Sequence, residues 1–350
     1  MSDTRASAPA CFWRHLVADS KIEWTGRSDW NPIRGCTRVS PGCGGPGPHG
    51  GCYAEAIAGR FSDPGQAFHG FANRTSAGGR WTGRVEVQWE RIGLPLRWRR
   101  PAVIFANSTS DVFHEALPAH EIASIYAVAV AAHHLRGHTI QIVTKRPDRA
   151  RELLNSAEFW DQVNAEAGMH VMEHVDPLDR RSDDARATLD DYDATRPPPG
   201  IWIGVSVENQ EWADKRREDA SGIPAVVRFV SYEPAIGPVD WAGWEFLDWM
   251  ISGGESGLRA RPSHPDWHRA ARDFCAAHRI PYLFKQWGEY GPYQGEHGVE
   301  GGWMDPNGSY YGGPTQWPPA ADERRAYMIR WGKKAAGRRL DGVQHDGMPA

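Results

Sequence analysis

The sequence predicts an α/β chain folded as a partial or full (β/α) barrel, with an open doubly wound sheet as the alternative. Three observations predict it. Apolar, β-branched runs alternate with helix-period segments about six times along the chain. The strand runs show little polar alternation, as expected of strands buried on both faces of a parallel sheet. Each run also ends in a compact polar signature, and in parallel α/β folds ligands gather at the C-terminal strand ends.

The elements follow in order. Residues 1–20 read as a loosely ordered leader without an apolar signal core, so a cytoplasmic location is the expectation. Residues 21–290 hold the barrel. "NPIRGC" is its expected first strand, followed by a cysteine-bearing loop over 34–55 and a helix in "CYAEAIAGRF" with Ala, Ile and Phe on one face. Strands are expected in "AVIFANSTSDVFHE" (102–115), "TIQIVTKRP" (139–147), "GIWIGVSVEN" (200–209), "AVVRFVSYEP" (225–234), "LDWMISGGESG" (247–257) and "PYLFKQWGEY" (281–290). Helices are expected in "AHEIASIYAVAVAAHHL", "DRARELLNSAEFW", "NQEWADKRREDAS" and "PDWHRAARDFCAAHR". Two segments break the rhythm. Residues 173–199 are charged and end in prolines, as in a surface insertion. Residues 291–350 read as an irregular Gly-, Pro-, Trp- and Tyr-rich extension ending in the basic tail "IRWGKKAAGRRLDG".

Composition narrows the function classes. The 350 residues are 40% hydrophobic and 24% charged, within the range of globular proteins. No apolar run reaches membrane-spanning length, so no membrane partner is expected. A formal net charge of −4 excludes a strongly basic global field and leaves nucleic acid only a local patch. Seventeen tryptophans fit core filler first, and a base-stacking surface second.

The polar strand ends are Asn107, Ser108, Ser110 and Asp111; Thr144, Lys145 and Arg146; Ser206, Glu208 and Asn209; Ser231 and Glu233; Gly253, Gly254 and Glu255; Lys285 and Gln286. One such end means little, since Glu233 before Pro234 could simply cap a turn. Six at the same end of successive strands predict one shared cavity.

Three of the five cysteines, Cys36, Cys43 and Cys52, fall in one Gly- and Pro-rich loop. Three thiolates can hold three irons of a [4Fe–4S] cluster and leave the fourth open for S-adenosylmethionine, whose reductive cleavage gives a 5′-deoxyadenosyl radical. His49 lies between Cys43 and Cys52, so a structural Cys₃His zinc site in a nucleic-acid-binding protein stays open beside it. Cys11 and Cys275 read as ordinary thiols.

The segments "SKIEWTGRSDWNPIRGCTRVSPGC", "FANSTSDVFHE", "TKRPDR", "GVSVEN", "RFVSYEPAIGPVD", "ISGGESG", "FKQWGEY" and "GKKAAGRRLDG" together resemble a phage and prophage family, formerly of unknown function and marked by a three-cysteine motif. The likeness covers roughly residues 20–345. That family looks like a divergent branch of the radical S-adenosylmethionine superfamily, and some relatives look like enzymes of thymidine hypermodification in phage DNA. The resemblance implies a barrel of the radical-SAM type in the host cytoplasm. It implies Cys36, Cys43 and Cys52 as cluster ligands. Asn107, Ser108, Ser206, Glu208, Gly253, Gly254 and Glu255 become the expected S-adenosylmethionine contacts. Asp111, Lys145, Glu233, Lys285 and Gln286 become the expected substrate-facing, catalytic set. The implied partners are an external electron donor and DNA or a modified nucleobase, with a nitrogen-to-carbon isomerisation of a glycyl-thymine as the implied reaction. The family spacing is C-x6-C-x2-C, whereas this chain has C-x6-C-x8-C, with "GGPGPHG" between Cys43 and Cys52 and Tyr53 beside the last cysteine.

Overall fold

The computed structural model describes residues 22–44, 50–76, 78–174, 192–293, 301–312 and 324–349. The expected leader, with Cys11, lies outside the described residues, as does most of the 173–199 insertion.

Four short strands come first: β1 (Ile33–Arg34), β2 (Ala72–Thr75), β3 (Gly78–Trp81) and β4 (Glu86–Val87). Helix α1 (Tyr53–Arg60) lies between β1 and β2, and two single-turn helices, α2 (Trp89–Ile92) and α3 (Leu94–Arg97), follow β4. The main sheet then alternates with helices: β5 (Val103–Ala106), α4 (Ala119–Arg136), β6 (Thr139–Thr144), α5 (Pro147–Leu154), α6 (Ala157–His174), β7 (Ile201–Ser206), α7 (Gln210–Ser221), β8 (Val227–Tyr232), β9 (Trp249–Gly253), α8 (Pro265–His278) and β10 (Tyr282–Gln286).

Local chemistry sets several of these boundaries. Helix α4 ends at Gly137, which takes the left-handed conformation (φ 68°) and returns its N–H to His133 O. Asn209 caps α7 by accepting from the Trp212 N–H. Pro265 opens α8, where its missing N–H costs nothing.

The six strands β5 to β10 pair in parallel, each with its neighbour in sequence. A doubly wound sheet would reverse its strand order part-way. This one does not reverse, and its curvature makes it a half-barrel, so the partial barrel is the fold. The outer residues Ile104, Ile140, Ile142, Ile203, Val205, Val230, Met250 and Phe284 share one core with the helices, among them the almost wholly buried α4.

Two expectations are corrected. "NPIRGC" is not the first barrel strand. Its β1 pairs antiparallel with β4, away from the main sheet. The place beside β5 is taken by the stretch before it: Arg27 bridges Ile104 in parallel, Phe105 N–H donates to Arg27 O (2.8 Å) and Asn107 N–H to Trp30 O (2.9 Å). The C-terminal extension is not irregular either. Strands β11 (Tyr290–Pro292), β12 (Gly301–Met304), β13 (Tyr310–Gly312) and β14 (Ala326–Arg330) make an antiparallel sheet in the order β11-β14-β12-β13. Glycines and aromatics hid its period, because packing rather than alternation selects such short strands.

The chain end covers the other sheet edge. Phe284 N–H donates to His345 O (3.1 Å) and Gly347 N–H to Tyr282 O (2.9 Å), so β10 presents no open edge there. No helix among the described residues is long and apolar enough to cross a membrane.

Candidate functional site

Period 2 along each strand divides the concave face into two levels. Its lower level is aromatic and aliphatic: Trp202, Phe229, Trp249, Ile251 and Leu283, closed by Trp24 from the N-terminal stretch. Ring centroids of Trp24 and Trp249 are 6.1 Å apart, and those of Phe229 and Trp249 5.2 Å. Gly204 makes room for this layer, since a Cβ there would meet the Phe229 ring at 2.4 Å. Two or four residues further along the same strands stand Ser206, Ser231, Glu233 and Lys285, with Lys145 just past the end of β6. They line a cavity of about 450 Å³ together with Asn107, Ser108, Asp111, Gly254, Glu255 and Gln286. Cys36, Cys43 and Cys52 face that same cavity.

The cysteine loop is held down on the strand ends by buried ions. Ser40 donates to Glu208 (2.5 Å), and Gly42 lies so close that a Cβ would be 2.6 Å from Glu208 Oε1. Thr37 donates to Glu115 (3.0 Å) and accepts from Arg146 (2.7 Å), which also pairs with Asp111 (3.1 Å). Further along, Gly51 N–H donates to Glu255 (3.2 Å), and Arg261 joins Glu255 (2.8 Å) to Pro41 O (3.0 Å). Arg38 grips Glu55 on α1 and Gly44 O. The described residues of this loop thus take their places from contacts with the strand ends beneath them.

Burial, and after it the Asp111 charge, pushes the Cys36 thiol up to about 12; burial and then Cys43 push Cys52 up to about 11. Without a metal both are neutral thiols at physiological pH. Three soft sulfur donors beside one cavity match in chemistry what iron–sulfur clusters and zinc require. They are not gathered into a ready ligand set: no cluster of three or more His, Cys, Asp or Glu at metal-binding spacing occurs among the described residues. His49 lies outside those residues.

The expected site residues divide three ways. Glu208 and Gly253 do not line the cavity. Glu208 is fully buried, ion-paired with Lys145 and bonded to Arg216 (2.8 Å). Burial opposes its charge, but Lys145 and Arg216 outweigh that and hold its carboxyl below the usual range. Through the Ser40 hydroxyl that donates to it, it anchors the cysteine loop. Gly253 leaves room for Glu233, whose Oε1 would sit 3.4 Å from a Cβ there.

A second group lines the cavity but is already occupied. Asp111 accepts from Thr144 (2.7 Å), Lys145 N–H (3.0 Å), Phe113 N–H (3.1 Å) and Arg146. Glu255 is taken by Arg261 and Gly51. Ser108 donates to Ser28 O (3.2 Å), and its own carbonyl accepts from the Tyr53 hydroxyl.

The third group has capacity left. Asn107 holds a left-handed backbone (φ 53°), and its Oδ1 accepts from Ile33 N–H (3.1 Å) and Ser110 (3.0 Å). A backbone N–H only donates, so the amide orientation is fixed and Nδ2 is left a buried, unpartnered donor. At the opposite edge of the sheet, Gln286 donates Nε2 to Glu233 (3.1 Å), and Glu233 pairs with Lys285 (2.8 Å). A carboxylate only accepts, so Gln286 Oε1 is left a buried, unpartnered acceptor.

One contact at the strand ends was not foreseen. Arg261 carries no motif signal, and only the fold brings it to Glu255. Lys333 of the basic tail reaches the cavity mouth from the short helix α9 (Lys333–Ala336), whereas Arg338 is tied to Asp346 (2.5 Å). Most tryptophans are core. Trp30, Trp160, Trp244 and Trp249 are fully buried, while Trp89 and Trp331 are exposed.

No curated protein matches the chain, and no solved structure does. A family model, DUF5131, described as "Protein of unknown function", matches residues 19–349. Nearly the whole length over which this cavity is built is therefore shared, and the chain belongs to the DUF5131 family.

Proposed function

We propose that the cavity is the active site of a radical S-adenosylmethionine enzyme, with a [4Fe–4S] cluster on Cys36, Cys43 and Cys52. The observation that carries this reading is that all three thiols face the same cavity as the polar strand ends. A structural zinc site is closed by its own ligands and has no use for a cavity of about 450 Å³ beside it. When bound, such a cluster supplies an electron to the sulfonium of S-adenosylmethionine and yields a 5′-deoxyadenosyl radical.

The chain's own residues do the rest. Asn107 Nδ2 offers a fixed donor to the cofactor. Ser206 and Ser231 line the cavity between the sheet edges. The Trp24 and Phe105 rings, 4.7 Å apart, close the base of the cavity against water. Glu233, Lys285 and Gln286 hold the reacting molecule. For the substrate we propose a modified thymine base in DNA, with Lys333 at the mouth for phosphate and an external electron donor as partner.

Anaerobic purification tests the reading. The expected protein is brown, with about four irons and four sulfides per chain. Cys52→Ala abolishes that content and His49→Ala leaves it nearly unchanged. On reduction the protein releases 5′-deoxyadenosine from S-adenosylmethionine, faster with modified DNA than without. Stoichiometric zinc without sulfide, lost equally in both variants, would overturn the reading in favour of a Cys₃His site.

A further inference from the structure

The Glu233, Lys285 and Gln286 cluster has a chemistry more specific than "polar". Lys285 Nζ lies 2.8 and 2.9 Å from the two Glu233 oxygens, and the two side chains are 14% and 17% exposed. Gln286 is 4% exposed and donates to Glu233 (3.1 Å) and Ser256 (3.0 Å), with Gly254 O at 3.5 Å. Glu233 and Gly254 O are pure acceptors, so the amide cannot be turned round. Its Oε1 therefore stays a buried acceptor awaiting a donor. Lys333 lines the same cavity and makes no ion pair among the described residues.

A half-buried ion pair constrains its ligand. A lone anion would draw Lys285 away and leave Glu233 uncompensated. A lone cation would do the converse to Lys285. A zwitterion satisfies both, its carboxylate taken by Lys285, its ammonium by Glu233 and the waiting Gln286 Oε1. We infer that the ends of β8 and β10 form a subsite for an α-amino-acid head group, with Gln286 Oε1 and Glu233 reading the ammonium and Lys285 the carboxylate.

The head group could belong to the cofactor of the reading above or to a substrate. Calorimetric titration of the full-length protein with methionine, its deaminated acid and its decarboxylated amine tests the subsite without any variant. Methionine is expected to bind, and each half-analogue to bind about tenfold or more weakly. Glu233→Gln should erase the preference over the deaminated acid, and Lys285→Met the preference over the amine. Equal binding of all three, no saturable methionine binding, or preferences that persist in both variants would overturn the inference. S-adenosylmethionine and its decarboxylated form identify the source. Weaker binding of the decarboxylated form assigns the subsite to the cofactor; equal binding, with methionine still bound alongside, assigns it to the substrate. The two source arms rest on the proposed function, but the methionine series does not. A protein that binds methionine and neither adenosyl compound keeps this subsite and loses that cofactor.

Discussion

The lower and upper levels of the half-barrel interior are built by the same strands, on the same face, a few residues apart. Below, Trp202, Phe229, Trp249, Ile251 and Leu283 form one packed apolar cluster with Trp24. Above, Lys145, Ser206, Ser231, Glu233 and Lys285 leave a cavity, and two buried amide atoms at its edges have no partner among the described residues. The difference teaches that the site rests on a dry floor. Large rings fill the space below, so the polar side chains above them stand on a packed layer. The floor carries stability and the upper level carries capacity to bind.

Predictions can break or sharpen that contrast. The largest effect is expected below. Trp249→Ala should lower unfolding stability by about 3–5 kcal/mol through the void it leaves, measured as a shift in the urea midpoint. A cost no larger than that of a surface change would mean the floor is not a packed core.

A smaller effect is expected at the seam between the levels, where Glu208 holds the cysteine loop. Glu208→Gln keeps the volume but strips the charge facing Lys145 and Arg216, at a cost of about 1.5–3 kcal/mol. The sign with pH follows from its lowered pKa. The folded value lies below the unfolded one, so the stabilisation is complete above the ordinary carboxylate range and is lost as pH falls through the folded value. Wild type should therefore lose its advantage over the variant in acid. A gap independent of pH would show that Glu208 acts by shape alone.

The smallest effect is expected at the exposed mouth. Lys333→Ala should leave stability within about 0.5 kcal/mol of wild type, read as an unchanged melting temperature. A clear drop would mean that the mouth also carries structure.

Much of this arrangement was legible in the residues. The repeated strand-then-helix pattern specified parallel strands with crossover helices, because strands covered on both faces must be apolar at both parities. The polar signatures specified one cavity, because parallel strands all end at the same side. The irregular reading of residues 291–350 failed for the opposite reason: strands of three to five residues are too short to display a period.

Three carboxylates show where legibility stops. Glu208, Glu233 and Glu255 stand in equivalent places, each two residues past a small residue at a strand end, in "SVE", "SYE" and "GGE". Nothing local distinguishes them. Tertiary structure gives Glu208 the cations Lys145 and Arg216 and buries it under the cysteine loop. It gives Glu255 the fork of Arg261 and the Gly51 N–H. To Glu233 it gives Lys285 and leaves it partly open beside an unpartnered amide oxygen. The sequence by itself determined the alternating parallel α/β pattern, the cysteine loop and which strand ends carry charge, since these follow from local period and composition. Only the tertiary structure decided which charges are spent on holding the loop and which remain for a ligand, because a carboxylate's role depends on the cation that long-range packing sets beside it.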